Sequence, residues 1–269
     1  MALSSTSDLA RLVGPALALA GLLVFIQISS YVRMLFAIRA TPVPRPQFSP
    51  YNATDDWTPL ERRDAIAESV TALGLEGFQL VMDVFWESPK RRLVVLSNDA
   101  TGEYAALLSN TFSGGRGALT LSITCEFADG RELSVDDSSS SVLPASPQLT
   151  RWQLPMAHPP ARLLRAFRYL LGRDFPGLHP TIRDVNLTIE ERLRRSMVRE
   201  TTHWIVAGYY AMDERTGTPF PTWSGAMRMI AVAAFPLGPL KRRGIRRKAE
   251  ALLAEAERVP WGHHRMQPR

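Results

Sequence analysis

Few residues in this chain are of a type and spacing that could do chemistry. The histidines are His158, His179, His203, His263 and His264. No two of them have the i, i+4 spacing of a helical metal pair and no His-Glu-x-x-His is present, so the ligand set of a zinc hydrolase is missing. Glu200 and His203 stand three apart where a helix is expected, which would bring them to one helix face. That spacing suits a surface hydrogen bond better than a metal ligand. Ser113-Gly-Gly-Arg-Gly117 is Gly-rich, but a strand pattern follows it where a phosphate-binding loop requires a helix. It is expected to be a hairpin turn. No Gly-x-Ser-x-Gly elbow occurs. Cys125 falls on the apolar phase of an alternating stretch and is expected to be a small core residue rather than a nucleophile. Asp136 and Asp137 adjoin, but neighbouring strand residues point to opposite faces, so they make no carboxylate dyad. The expectation is no catalytic residue, no metal ligand and no cofactor.

Charge is more informative. The formal net charge is +6, and the block Lys241, Arg242, Arg243, Arg246, Arg247 and Lys248 carries six positive charges. The rest of the chain is therefore balanced, and the basic character is local. A nucleic-acid binder spreads Lys and Arg along a face or groove, so the distribution argues against nucleic acid and for a local contact with an anionic surface. Only three basic residues are Lys (Lys90, Lys241 and Lys248), and the Arg excess suits a GC-rich genome. One cysteine cannot form an internal disulfide, which fits a reducing compartment.

From Leu12 to Val32 run 21 residues without a charge, LVGPALALAGLLVFIQISSYV. A helix of that length spans about 30 Å, the thickness of a bilayer's hydrocarbon core. Asp8 and Arg11 offset each other before it, and the apolar run exceeds a signal peptide's core, so it is expected to stay as an anchor. Arg33, Arg39 and Arg45 follow the span and Arg11 precedes it, which orients the bulk of the chain to the cytoplasm. Gly14, Ala18 and Gly21 share a helix face on which membrane helices approach closely.

These features divide the chain into a short tail (1–11), a membrane helix with its extension (12–38), a Pro-rich linker (39–58), a soluble domain (59–258) and a C-terminal tail (259–269). The linker holds Pro42, Pro44, Pro46 and Pro50 and is expected to be an extended spacer. Thr58, Pro59 and Glu61 read as a capping box that opens a helix carrying Ile66, Val70 and Leu73 on one face. Strand patterns follow over 79–86, 92–97, 104–109, 119–127 and 132–136, and the clearest alternates Leu119, Leu121, Ile123, Cys125 and Phe127 with polar residues. Asp99 to Gly102 and Asp129-Gly130 supply turns. Ser138 to Ser141 is expected to be a flexible loop. Leu163, Leu164, Phe167, Leu170 and Leu171 form an apolar stripe over 161–173. A longer helix over 188–212 opens with the capping box Thr188 and Glu191 and carries Leu193, Met197, Trp204 and Gly208 on one face. The expected fold class is α+β: an N-terminal transmembrane helix, then helices packed on one face of a four- to five-stranded antiparallel β meander.

The segment from Ala226 to Phe235 is apolar except for Arg228, and Pro236 and Pro239 end it. Counted from Thr222, it is still too short to span, leaving a core helix, an interfacial helix or a re-entrant segment. Ile245, Ala249, Leu252, Leu253 and Ala256 make a packing stripe opposite the basic block. The residues expected at the membrane or an anionic lipid are Arg33, Arg39, Arg228, Lys241, Arg242, Arg243, Arg246, Arg247 and Lys248.

Leu73-Gly-Leu-Glu-Gly-Phe78, Tyr104-Ala-Ala, Phe127-Ala-Asp-Gly-Arg-Glu-Leu133 and Thr222-Trp-Ser-Gly-Ala226 together resemble a group of bacterial membrane-anchored proteins, over most of 74–253. The resemblance implies no activity and carries no site residue. The expected location is a bacterial inner (plasma) membrane, single-pass, with the C-terminal domain cytoplasmic. Its domain is expected to bind a protein partner or the anionic membrane through the basic block. The alternative is a lipid-binding or lipid-modifying protein with an apolar cavity between the sheet's inner face and the long helix.

Overall fold

The computed structural model describes residues 6–43, 47–55, 58–87, 90–111, 117–139, 141–181, 188–234 and 237–260. Arg45, His263, His264, the 113–116 part of the Gly-rich turn and the contacts of Gly14 lie outside the described residues.

The first helix, α1, runs Thr6–Ala40. Within it Leu17–Ala40 is long and apolar enough to cross a membrane by length and composition. Leu17, Leu19, Leu22, Phe25, Ile26 and Ile28 are all exposed. A helix that leaves large apolar side chains uncovered around its circumference is suited to lipid rather than water. Its last two turns, by contrast, pack on the folded domain.

The sheet has seven strands in sequence order: β1 (Phe48–Pro50), β2 (Gln79–Glu87), β3 (Lys90–Asn98), β4 (Glu103–Thr111), β5 (Gly117–Glu126), β6 (Glu132–Asp136) and β7 (Leu149–Gln153). β1 to β6 pair antiparallel, and β6 pairs β7 in parallel. Two strands correct the expected four- to five-stranded meander. β1 comes out of the Pro-rich linker, where Pro50 is tolerated because β1 is an edge strand. β7 lies parallel to β6, which hairpin signals cannot reveal because a parallel partner needs a crossover. The hairpin at Asp129-Gly130 forms as expected, with Gly130 at φ +80.

The inner face of the sheet carries the core. Val94, Leu96, Ala105, Leu107, Leu121, Ile123, Cys125, Leu133 and Val135 are buried there. Three helices close it: α2 (Leu60–Gly74) through Ile66 and Leu73, α3 (Pro160–Asp174) through Leu163, Leu164, Phe167 and Leu170, and α6 (Leu237–Arg258) through Ala249, Leu252, Leu253 and Ala256. α2 starts without a capping box: its N-cap is Pro59, and no side chain caps it.

The expected long helix is shorter than 188–212. α4 runs Ile189–Val206 behind the capping box of Thr188 and Glu191, and Gly208 at φ +76 turns the chain away. The two-stranded hairpin β8 (Tyr210–Met212) and β9 (Pro219–Pro221) follows, then α5 (Trp223–Ala233). α4 lies over the opposite face of the sheet, the face of Phe48, Trp86, Glu126 and Glu132. Arg199 pairs with Glu132, the Ser196 hydroxyl donates to Glu132 at 3.4 Å, and the Arg194 guanidinium stands 5.6 Å from the Phe48 ring. No residue of α4 is fully buried. The two faces of the sheet therefore differ: one is closed by α2, α3 and α6 over an apolar core, while the other buries Trp86, Leu93 and Val95 and is tied to α4 by charges.

One charge is buried inside the core. Glu103 is fully buried on β4, and Arg168 of α3 donates to both its oxygens, Nε at 3.2 Å and a terminal nitrogen at 3.0 Å. The remaining guanidinium nitrogen reaches Glu76 at 3.2 Å. Such a pair offsets its own desolvation only while both partners remain. Arg168→Met is expected to destabilise the chain by about 3–5 kcal/mol, because Glu103 is left buried and unpaired. The readout is the thermal midpoint of the detergent-solubilised protein. The double change with Glu103→Leu should recover most of the loss, and a single variant that melts with the parent would show that the pair carries no stability.

Candidate functional site

The residues expected at the membrane fall into two groups. Arg39, half-buried, and Arg228, exposed, are both bonded to other parts of the protein. Arg39 stands near the end of α1, its guanidinium 5.1 Å from the Phe220 ring and 4.8 Å from the Trp223 ring, and it donates to the Pro221 carbonyl. Phe36, one turn earlier, meets Trp223 edge-on at 5.8 Å. A cation over two aromatic rings is attracted by their quadrupoles, and the carbonyl adds a hydrogen bond. Arg228 donates to the Ala207 carbonyl at 3.1 Å, the C-cap residue of α4, and lies over Tyr209 at 5.4 Å. A cation there complements the negative end of the helix dipole.

These contacts make one unit of the end of α1, the β8–β9 hairpin and α5. The N-cap Thr222 hydroxyl accepts from the Gly225 N–H at 2.8 Å and donates to the Gly208 carbonyl at 2.7 Å. Gly225 has no room for a side chain, because the Tyr209 backbone lies where Cβ would stand. After α1 the chain stays on this unit, with the Val43 N–H donating to the Pro219 carbonyl at 2.8 Å. α5 is partly core and partly surface. Ala226, Met229 and Ile230 are buried, and Trp223 and Met227 are exposed.

The second group is on α6. Lys241 reaches the Ser141 carbonyl at 2.7 Å, and Arg246 pairs with Glu250 one turn on. Arg242, Arg243, Arg247 and Lys248 are exposed and have no ion-pair partner among the described residues, and Arg33 on α1 is exposed as well. Leu237 and Leu240 are exposed just before them, so apolar and cationic side chains lie side by side at the start of α6. The packing stripe opposite them is as expected from the sequence.

Cavities flank α4 on both sides. A polar one of about 220 Å³ lies between α4 and the β5–β6 turn, lined by Glu126, Glu132, Arg192, Arg195, Ser196 and Arg199. Burial pushes the Glu132 carboxyl up, and Arg199 pulls it the other way. Arg199 pairs with Glu132 and approaches Glu126 at 4.0 Å, which ties α4 to the sheet, while Arg192 and Arg195 have no ion-paired carboxylate partner among the described residues. An apolar cavity of about 500 Å³ lies where α1, β2, β3, α4 and α5 converge. Sequence patterns did not single out its lining residues Trp86, Arg91 and Met229, since they are far apart in the chain.

The catalytic candidates remain apart. Glu200 accepts from the Ser146 N–H at 3.3 Å rather than from His203. Cys125 is buried, and burial raises its thiol far above the usual range. No cluster of His, Cys, Asp and Glu among the described residues could hold a metal. Asp136 binds Arg151 at 2.7 Å, while Asp137 turns away to accept from the Leu121 N–H at 2.9 Å. Comparison with known proteins adds no function: no protein-family model, curated protein or solved structure matches this chain. What the described residues define is a mixed α+β protein with one N-terminal helix apolar enough for a membrane.

Burial, aided by the neighbouring Asp136 charge, raises the Asp137 carboxyl to about 6. An unfolded Asp titrates near ~3.9, so between these values the folded chain holds the extra proton and stability falls as pH rises. Asp137→Asn keeps the oxygen that accepts from Leu121 and loses the charge. It is expected to be more stable than the parent by about 2 kcal/mol at about pH 7, with the advantage vanishing near about pH 4. Thermal or denaturant unfolding across that range is the check, and an advantage that grows toward acid would contradict the assignment.

Proposed function

We propose that the chain is a single-pass protein of a bacterial inner membrane. Its cytoplasmic α+β domain is held against the anionic leaflet by the exposed face of α5 and the basic start of α6. The observation that carries this is the docking of the last two turns of α1 on α5 through Arg39, Phe36 and Trp223. If Leu12 to Val32 lies in the bilayer, α5 begins within a few residues of the interface. Trp223 then stands at the depth where Trp partitions. Met227, Leu237 and Leu240 supply exposed apolar surface, and Arg242, Arg243, Arg247 and Lys248 supply charge that nothing else on the described chain neutralises.

A basic side chain near an anionic surface gains about 1 kcal/mol, so four such residues and the apolar face together make a stable contact. The orientation rests on the Arg33, Arg39 and Arg45 excess after the span. The same surface is the one available to a protein partner.

Hydrogen exchange of the full chain in nanodiscs tests the contact. Amides over 237–248 should be more protected with phosphatidylglycerol than with phosphatidylcholine alone. That difference should shrink at high salt and vanish when Arg242, Arg243, Arg247 and Lys248 are all changed to Glu. Equal exchange in both lipids would sink the contact with the anionic leaflet.

A further inference from the structure

The inner face of the sheet is filled by α2, α3 and α6, so the cavity expected there has no room. The open apolar space is on the other face. Its walls are Ile38 from the end of α1, Trp86 of β2, Met197 and Trp204 of α4, and Met229 of α5. At about 500 Å³ it falls within the range of small-ligand sites. A second apolar cavity of about 430 Å³ adjoins it, since Val43 and Met197 line both.

One charge stands in this apolar setting. Arg91 of β3 lines the cavity with its guanidinium 5.4 Å from the Trp86 ring. No carboxylate among the described residues pairs with it. Burial lowers its pKa, the direction expected of a cation without a counter-ion. Removing a charge from water without a partner is costly, and an anionic ligand would relieve that cost. Apolar walls with one unpaired guanidinium are complementary to an amphiphile: an apolar chain with an anionic head.

The position of the cavity selects among amphiphiles. Ala37 and Ile38 line it and lie within two turns of Val32, the end of the apolar run. What adjoins the cavity is therefore the leaflet that α1 enters. We infer that the cavity holds an acyl chain of an anionic phospholipid from that leaflet, its phosphate on Arg91, and that the chain continues toward the second cavity past Val43 and Met197. This rests on α1 crossing the membrane.

The test uses the full-length protein in phosphatidylcholine nanodiscs containing phosphatidylglycerol with a diazirine near the end of its acyl chain. After irradiation, labelled peptides are mapped. Label is expected on Met197, Trp204 or Met229 as well as on the 17–32 part of α1. Arg91→Gln should reduce the cavity label by about tenfold and leave the α1 label unchanged, as expected for one lost charge-assisted contact. Arg91→Lys should retain most of it. On the parent protein, a phosphatidylcholine probe with the same diazirine should label the cavity weakly. The inference is overturned if α1 is labelled and the cavity is not, or if both lipids label the cavity equally and Arg91→Gln changes nothing. An unlabelled α1 would instead overturn the anchoring on which the inference rests.

Discussion

A single guanidinium governs how this protein is put together. Arg39 lies between Phe220 and Trp223 and donates to the Pro221 carbonyl, so the end of α1 is fixed to both the β8–β9 hairpin and the start of α5. A cation–π contact at a partly exposed site is worth about 1 kcal/mol, and here two rings share one cation. The consequence is mechanical. The stretch that reads as a spacer does not separate the helix from the domain. Val43 bonds to the hairpin and Phe48–Pro50 joins the sheet edge, so a domain tethered in this way keeps its orientation to α1. The exposed part of α5 and the basic start of α6 inherit that orientation, and so does the cavity that Ile38 helps to enclose.

The sheet divides the remaining work. Its inner face is closed by apolar contacts with α2, α3 and α6, and the buried Glu103–Arg168 pair ties the end of that layer. Its outer face is covered by α4, which has no fully buried residue and is held by Arg199 on Glu132, Trp204 on the Pro144 carbonyl and Arg228 on its C-cap. A helix fixed by polar ties at a few points, instead of by a continuous apolar stripe, leaves space beneath it. The cavities line α4 for that reason, and the larger apolar one opens on the side of α1.

Local patterns in the sequence were good guides wherever one element decides its own form. The alternation of Leu119 to Phe127, the stripe of Leu163 to Leu171 and the capping box of Thr188 and Glu191 all appear in the structure as expected. The failures have physical causes. β1, β8 and β9 are three residues each, too short for period two to register, and Pro50, Pro219 and Pro221 count against strands except at edges. β7 has a parallel partner seventeen residues from its own register, so no turn announces it. Thr58 has the right spacing for a cap, but the chain enters α2 through Pro59 instead. Of the basic residues, the sequence shows number and spacing and not surroundings. Arg39 and Arg242 look alike there, yet one is sandwiched between rings and the other is exposed. Arg91 lacked any local signal, because its setting is made by α1, α4 and α5 from distant parts of the chain.

The account stands on α1 crossing the membrane with α5 against its cytoplasmic face, and cysteine accessibility tests this most directly. The native Cys125 is fully buried, so an introduced cysteine can be labelled selectively. Met227 lies on the exposed face of α5. Leu75 is exposed just after α2, at the Gln79 end of β2, whereas the cavity and α1 lie at its Trp86 end. With a membrane-impermeant maleimide, Leu75→Cys should react in inside-out membrane vesicles and not in right-side-out ones. Met227→Cys should stay protected in both until detergent dissolves the bilayer. Reaction of Leu75→Cys from the outside, or equal reaction of the two positions in inside-out vesicles, would contradict the account.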